Sequence, residues 1–131
     1  MSSGYLLDTN IAIAILINEE PVINFILQAS KDKMPIYLST ITECEVFAGL
    51  KPEEQLRAEK LFTSKRCMEV TSEIAKLAGT IRRDQKGKGR KLKTPDAIII
   101  ATALVNELTL ISRASDMNFI HNELGIPLIK I

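Results

Sequence analysis

Short apolar segments that alternate with helix-forming segments constrain the fold of this chain most strongly. The alternation predicts strands at residues 5–7, 36–38, 67–70, 108–111 and 128–131. Helices are predicted at residues 10–17, from Pro21, at 40–48, from Pro52, after the cap Thr71 and at 97–105, with a turn or short helix at 115–119. Alternating strands and helices imply a mostly parallel β-sheet with helices on both faces, which is an α/β fold.

Length and charge narrow the classes of protein that this chain can represent. The 131 residues suit a single domain, residues 1–131, and the formal net charge is only +1. Because there is no large global charge, any electrostatic recognition of nucleic acid must be local. Cys44 and Cys67 lack metal-site spacing, and Cys44 is expected to be a small core residue. No apolar run reaches the roughly 18 to 20 residues of a membrane span, so a cytoplasmic location without membrane contact is expected.

Two aspartates stand where a strand meets a helix or where an apolar helix begins. Asp8 ends the first predicted strand, and Asp96 precedes the apolar helix at 97–105, for which Thr94 is the predicted N-cap and Pro95 the first residue. Either aspartate could do no more than stabilise the N-terminus of the helix that follows it, through the helix dipole. However, a deeply packed helix would bury Asp96, and an unpaired buried carboxylate costs several kcal/mol. Both side chains are therefore predicted to share a site at the carboxyl edge of the sheet.

Two glutamates in the helix at 40–48 compete for a third position in this site. Glu43 and Glu45 each fit a Thr-x-x-Glu capping box, with Thr40 and Thr42 respectively. The apolar stripe of this helix is expected to contain Ile41, Cys44 and Ala48. At roughly 100° per residue, Glu45 lies at the edge of that stripe and Glu43 points more nearly away. Glu45 is therefore predicted to face the site, and Glu43 the solvent.

Asp116 is the fourth acidic candidate, although a residue after Ser115 could simply belong to a turn. Carboxylates that approach one another repel strongly unless a cation lies between them. Ligation by oxygen alone suits one or two Mg²⁺ or Mn²⁺ ions, and such sites support attack of water on a phosphodiester. The sequence therefore predicts metal-dependent phosphodiester hydrolysis. The catalytic metal ligands would be Asp8, Glu45, Asp96 and Asp116.

Four segments resemble the motifs of the PIN-domain ribonucleases, most closely the VapC-type toxins. Residues 7–10 (Leu-Asp-Thr-Asn) are similar to the opening motif of the family, and residues 95–103 are similar to its third motif. Residues 39–49 resemble the second motif, whose metal-binding Glu stands four residues before a Gly, which selects Glu45. Residues 110–113 resemble the fourth motif. There the family usually has an acid at the position of Ala114, and Asp116 replaces it if the loop is about two residues longer.

The resemblance implies a three-layer PIN-like fold with a central, mostly parallel β-sheet flanked by helices. It implies RNA cleavage that depends on Mg²⁺ or Mn²⁺, as the toxin of a type II toxin–antitoxin pair. It also implies frequent homodimers and a cognate antitoxin protein. Asn10 and Ser112 are expected to orient ligands or water around the site, although Asn10 could equally stabilise the start of a helix.

Residues 82–93 concentrate positive charge in an otherwise nearly neutral chain. The segment could be a solvated helix end, since cations favour helix C-termini. Because it leads directly to Asp96, it is instead predicted to hold RNA phosphates beside the metal site, without reading sequence. The predicted RNA contacts are Arg82, Arg83, Lys86, Lys88, Arg90, Lys91 and Lys93.

Other functions fit the same fold class less well or remain open. A phosphoacceptor receiver domain needs an acidic pair near the first strand, and residues 8–10 (Asp-Thr-Asn) do not supply one. A dehalogenase-like phosphatase would need a second aspartate at Asn10. Two alternatives stay open: a weak or inactive PIN-like RNA-binding domain, and a housekeeping RNA-processing nuclease.

Overall fold

Five parallel strands form the centre of the computed structural model, which describes residues 2–131. The strands are β1 (Tyr5–Leu7), β2 (Ile36–Ser39), β3 (Arg66–Met68), β4 (Thr109–Ser112) and β5 (Leu128–Lys130). They lie side by side in the order β3-β2-β1-β4-β5, so β1 is the central strand. All four pairings are parallel, which confirms the predicted sheet.

Seven helices connect or follow these strands in residues 2–131. They are α1 (Thr9–Leu16), α2 (Glu20–Lys31), α3 (Thr40–Ala48), α4 (Gln55–Ser64), α5 (Ser72–Gly87), α6 (Thr94–Val105) and α7 (Phe119–Leu124), with 3₁₀ turns at Pro52–Glu54 and Ser115–Met117. The turn predicted at 115–119 thus continues into a helix. The prediction of Thr94 as an N-cap was wrong by one residue. Lys93 has the extended backbone of a cap, and Pro95 is tolerated in the first turn because its missing N–H would have no partner there.

Alternating side chains of the strands contribute to two hydrophobic clusters, one on each face of the sheet. Leu6 of β1 belongs to one cluster and its neighbour Leu7 to the other, because successive strand residues point to opposite faces. Buried residues of α5, α6 and α7 complete the first cluster. Buried residues of α1, α2 and α4 complete the second. The fold therefore has the predicted three layers, helices–sheet–helices.

The chain adds strands first on one side of β1 and then on the other, so the order of the strands switches between β1 and β4. From β1 the strands continue outward through β2 to β3, whereas β4 and β5 lie on the other side of β1. Ligands of open α/β sheets bind outside the carboxyl ends of the strands at such a switch point. At this point the backbone N–H of Asp8 donates to the carbonyl of Ile111 over 2.9 Å. The fold therefore places Asp8 at the edge where a site is expected.

Within residues 2–131, no individual helix is both long and apolar enough to cross a bilayer. Only α1 and α2 taken together reach that length and composition, and they are bent by 103° relative to each other.

Candidate functional site

Asp8 is held in place at the carboxyl end of β1 by two hydrogen bonds to its carboxylate. One carboxylate oxygen, Oδ1, accepts from the backbone N–H of Thr9 over 2.8 Å, so Asp8 caps α1. The other, Oδ2, accepts from the hydroxyl of Ser112 over 2.6 Å. The residue is 3% exposed. Burial raises the pKa of Asp8 above its ordinary value; the hydrogen bonds to Ser112 and Thr9 oppose this, and the negative charges of Glu45 and Asp116 add to it.

Asp96 lies in the first turn of α6 and is half-buried. Burial is the main cause that raises the pKa of Asp96. The negative charges of Asp8, Glu45 and Asp116 raise it further, and Lys93 lowers it. Coulomb interactions weaken with distance, so these couplings put Asp96 within electrostatic range of the other three carboxylates. The four acids proposed from the sequence thus belong to one electrostatic neighbourhood, which we call the acidic site (Asp8, Glu45, Asp96 and Asp116).

Glu45, not Glu43, is the glutamate of α3 that reaches this neighbourhood. Its carboxylate oxygen Oε1 accepts a hydrogen bond from the hydroxyl of Thr9 over 2.6 Å. The hydroxyl of Thr9 also lies 3.1 Å from that of Thr42. Glu43 is oriented elsewhere: after burial, its charge is the second cause that raises the pKa of the Cys67 thiol on β3. Glu45 therefore contacts the site, as predicted, but the prediction that Glu43 faces the solvent was wrong: Glu43 is half-buried and Glu45 is the exposed one.

The apolar face of α3 that was predicted from the sequence, and on which that choice rested, was nevertheless wrong. Cys44 and Ala48 are exposed, and the buried face of α3 carries Thr42 and Val46. Ile41 packs against one hydrophobic cluster, whereas Val46 belongs to the other. The helix therefore crosses the edge of the sheet rather than lying flat on one face, so no single apolar stripe exists.

The two predicted capping boxes of α3 are also absent. Ser39 is the N-cap, and its hydroxyl accepts from the N–H of Ile41 over 3.1 Å. Thr40 instead accepts from the N–H of Val70 over 3.2 Å, and Thr42 faces Thr9. With capping supplied by Ser39, neither Thr hydroxyl is needed at the helix start, and Thr42 is available to line the acidic site.

Asp116 is exposed in the 3₁₀ turn Ser115–Met117. Its charge raises the pKa of both Asp8 and Asp96, so the turn brings an acid close to the site two residues beyond Ala114. Ala114 itself contributes a backbone N–H, which donates to the Ser112 hydroxyl over 3.1 Å. This contact fixes the start of the loop that carries Asp116.

Asn10 and Ser112 form a hydrogen-bonded polar pair next to Asp8. The buried hydroxyl of Ser112 donates to Asp8 and lies 3.5 Å from the side-chain nitrogen of Asn10, which donates to it. The carbonyl oxygen Oδ1 of Asn10 is buried and has no hydrogen-bond partner in residues 2–131. A buried acceptor without a partner is costly, so this oxygen is suited to accept from a water molecule or to face a cation.

The chemistry of these donors fits a hard divalent cation. The acidic site and Asn10 offer only oxygen atoms, which Mg²⁺ and Mn²⁺ prefer. In residues 2–131, however, no three His, Cys, Asp or Glu side chains lie close enough together to hold a metal ion as they stand. Ligation would therefore require the carboxylates to move towards one another, and a bound cation would offset their mutual repulsion.

Residues 82–93 form the end of α5 and the loop before α6, and part of their charge is neutralised. Glu123 of α7 pairs with Lys88, whose Nζ lies at 2.6 Å, and with Arg90. The Nε of Arg82 donates to the carbonyl of Leu92 over 2.9 Å. Arg83, Lys86, Lys91 and Lys93 are exposed. The segment is thus a fixed loop with a basic surface, rather than a uniformly charged flexible one.

Acidification is expected to loosen this loop only at low pH. Hydrogen bonds from Lys88 and then Arg90 lower the pKa of Glu123 from 4.5 to about 2. An acid whose pKa is lowered by folding stabilises the folded state above its unfolded pKa, and this contribution is lost as the pH falls through about 2. Thermal unfolding of wild type and Glu123→Gln between about pH 5 and pH 2 checks this. The difference in melting temperature should shrink as the pH falls, and a constant difference would contradict the assignment.

Three residues of the site and loop were missed by the sequence analysis. Thr9 connects Asp8 to Glu45, buried Gln85 accepts from Arg90 over 2.7 Å, and Glu123 fixes the basic loop. Thr9 could have been found, because it directly follows Asp8 in the segment 7–10. Glu123 could not, because it lies 33 residues from Arg90 and in a helix that was not predicted.

Comparison with known proteins relates the chain to a family of nucleases. Residues 5–121 match the family model of the PIN domain. Ribonuclease VapC10 of Mycobacterium tuberculosis is 29% identical over 105 residues, which cover 80% of this chain and 78% of that protein. A chain of a toxin–antitoxin complex from Klebsiella pneumoniae is 30% identical, with a TM-score of 0.73 and 96% of both chains covered.

A DNA-bound VapBC structure from Salmonella typhimurium shares the fold at 23% identity. Its TM-score is 0.79, and the superposition covers 99% of this chain and 98% of the other. Because the match to the PIN domain extends from β1 into α7 and includes all four acids, it spans both the sheet edge and the acidic site. This chain therefore belongs to the PIN-domain family.

Proposed function

We propose that this protein is a metal-dependent endoribonuclease that hydrolyses RNA phosphodiester bonds, and that it is the toxin of a type II toxin–antitoxin pair acting in the cytoplasm. The observation that carries the proposal is the hydrogen-bonded group of Asp8, Thr9, Glu45 and Ser112 at the switch point between β1 and β4, to which the charges of Asp96 and Asp116 are coupled. Relatives named ribonucleases VapC10 and VapC19 support the reaction. The toxin–antitoxin complexes among the similar structures support the biological setting.

Asp8, Glu45, Asp96 and Asp116 would hold one or two Mg²⁺ or Mn²⁺ ions. Such an ion, when bound, lowers the pKa of water and neutralises charge on a phosphoryl group. Two of the four carboxylates are held in place before any ion binds, because Ser112 and Thr9 fix the Asp8 carboxylate and Thr9 also holds Glu45. Asn10 contributes a buried oxygen that can accept a hydrogen bond from water.

The basic surface beside Asp96 would position the RNA backbone. The proposed contacts are Arg82, Arg83, Lys86, Lys88, Arg90, Lys91 and Lys93. Arg83, Lys86 and Lys91 line a groove along α5 together with Arg82 and Arg90. Phosphate contacts of this kind give affinity and register without sequence preference. Lys93 lies next to the acidic site, since its charge lowers the pKa of Asp96.

A cognate antitoxin and a second copy of the chain are the proposed protein partners. Large apolar side chains are exposed on three helices that cover one face of the sheet: Ile13 and Ile17 at α1, Leu27 on α2, and Leu56 on α4. Exposed apolar side chains that lie on neighbouring elements favour a protein interface over solvent. Their position on one face supports association there.

The second candidate function is RNA binding without cleavage. It is favoured by one observation, that no three acidic side chains in residues 2–131 lie at metal-holding spacing. The two candidates differ in whether the carboxylates close around a cation. Measurements of cleavage and binding on the same RNA therefore separate them.

The proposed function is tested by cleavage of single-stranded RNA in Mn²⁺, with EDTA as the metal-free control. The two glutamates of α3 provide matched variants. Glu45→Gln is expected to cleave about 10- to 100-fold more slowly, because Glu45 belongs to the acidic site, whereas Glu43→Gln should retain the wild-type rate. Equal rates for the two variants would remove Glu45 from the site. Wild-type protein that binds RNA but never cuts it would establish the second candidate.

A further inference from the structure

A cleft of about 500 Å³ lies between the basic loop and α7, directly beside the acidic site. It reaches the acidic site at Asp116, which is one of its lining residues. The rest of its wall includes Arg90 and Lys91 from the loop and Asn118, Phe119 and Asn122 from the α7 region. A wall that combines cations, amides and an aromatic ring suits a nucleotide better than a metal ion.

Arg90 is the most firmly held cation of this wall. Its guanidinium carbon lies 4.9 Å from the centre of the Phe119 ring, and its Nη1 donates to Oε1 of Gln85 over 2.7 Å. Glu123 forms an ion pair with the same group. The backbone N–H of Arg90 donates to the carbonyl of Gln85 over 2.8 Å. The guanidinium plane is therefore oriented by the protein itself, before any ligand is present.

Arg90 also stands at the junction of two surfaces. It lines the basic groove along α5, which contains Arg83 and Lys86, as well as the cleft at Asp116. Despite its contacts with Phe119, Gln85 and Glu123, the side chain remains 46% exposed. The exposed part of the guanidinium is flat and already oriented, so it can stack on another planar group. A planar group stacked there would lie between the basic groove and the acidic site.

We propose that Arg90, supported by Phe119, is a stacking subsite for one unpaired nucleobase of the RNA next to the bond that is cut. Guanidinium planes and aromatic rings stack on unpaired bases, whereas bases in an A-form duplex remain stacked within their own helix. The inference rests on the proposed nuclease function and adds to it a base-binding subsite, made by Arg90 and Phe119 where the cleft meets Asp116.

The test compares Arg→Lys at two positions, because lysine keeps the charge but lacks the plane. The probe is a labelled single-stranded RNA of about 12 nucleotides, used alone and annealed to its complement, with binding measured in EDTA at several salt concentrations. Arg90→Lys should bind the single strand at least about 5-fold more weakly, with an unchanged salt slope and unchanged duplex affinity. Arg66→Lys is the matched control, because Arg66 is also exposed and lies over an aromatic ring, 5.9 Å from the centre of Tyr37, but belongs to neither the basic surface nor the acidic site; it should change none of these values.

One further variant and a control for folding decide between the outcomes. Phe119→Leu keeps an apolar side chain beneath Arg90 but removes the ring, so it should also weaken single-strand binding selectively. Melting temperatures establish that each variant is folded. A lower melting temperature with wild-type RNA affinity would show that Arg90 only clamps the loop to α7. Equal losses on single strand and duplex would show a phosphate contact, and either result overturns the subsite.

Cleavage of the same RNA in Mn²⁺ separates failure of this inference from failure of the proposed function. If the wild type cleaves and Arg90→Lys binds and cleaves equally well, only the stacking subsite is refuted. If the wild type neither binds nor cleaves the RNA, the nuclease proposal fails and the subsite fails with it.

Discussion

The Asp96→Asn protein is expected to cleave RNA at least about 100-fold more slowly than the wild type. The substitution preserves the shape of the side chain and removes one negative charge from the acidic site. Asp96 is half-buried, and the charges of Asp8, Glu45 and Asp116 raise its pKa. These are the conditions under which a carboxylate gains most from a bound cation, and asparagine cannot replace its charge.

Thermal unfolding distinguishes this loss from unfolding of the protein. Without metal, Asp96→Asn should melt at the same temperature as the wild type or a higher one, because a repulsive charge has been removed. Addition of Mn²⁺ should raise the melting temperature of the wild type more than that of the variant, since a ligand stabilises the state that binds it. An identical response of both proteins to Mn²⁺, or undiminished cleavage by the variant, would exclude Asp96 as a ligand.

Leu110→Ala is expected to lower the free energy of unfolding by about 3 to 4 kcal/mol. Leu110 is fully buried in the middle of β4, between β1 and β5, and belongs to the hydrophobic cluster beneath α6. Truncation removes apolar contacts and leaves a cavity that a sheet strand with neighbours on both sides cannot easily close. For a domain with a typical stability of about 5 to 15 kcal/mol, this is a large fraction of the total.

Leu27→Ala is the matched control, because the same atoms are removed from the surface. Leu27 lies on α2 and is 57% exposed in the single chain, so its truncation should change the free energy of unfolding of the monomer by less than about 0.5 kcal/mol. Urea unfolding of both variants at one protein concentration measures the difference. Similar losses at the two positions would contradict the assignment of Leu110 to the core.

Strands, helices and the two aspartates were accessible from the sequence because their signals are local. Asp8 follows a buried strand and precedes a helix, and Asp96 opens an apolar helix. In a parallel sheet these positions converge on one edge regardless of the detailed packing. Ser112 was expected from the sequence only to orient ligands or water; its hydrogen bond to Asp8 is a finding of the structure, and it forms because β1 and β4 are neighbours.

Features that depend on packing between distant segments were not accessible. The orientation of α3 was predicted from one apolar stripe, but the helix crosses the sheet edge, and its buried face carries Thr42 and Val46. The basic loop was treated as a set of independent charges. In the folded chain Glu123 binds two of them, across separations of 33 and 35 residues. Such pairings are decided by tertiary structure, and local sequence patterns do not encode them.

The hydrogen bond between Asp8 and Ser112 joins residues that are 104 positions apart in the chain. During synthesis, the first half of the acidic site is therefore made long before β4 exists to complete it. A growing polypeptide that contains only Asp8 and Glu45 lacks Asp96, the hydroxyl of Ser112 and the turn with Asp116. The acidic site can consequently be complete only after the last third of the chain, which supplies Asp96, Ser112 and Asp116, has been synthesised.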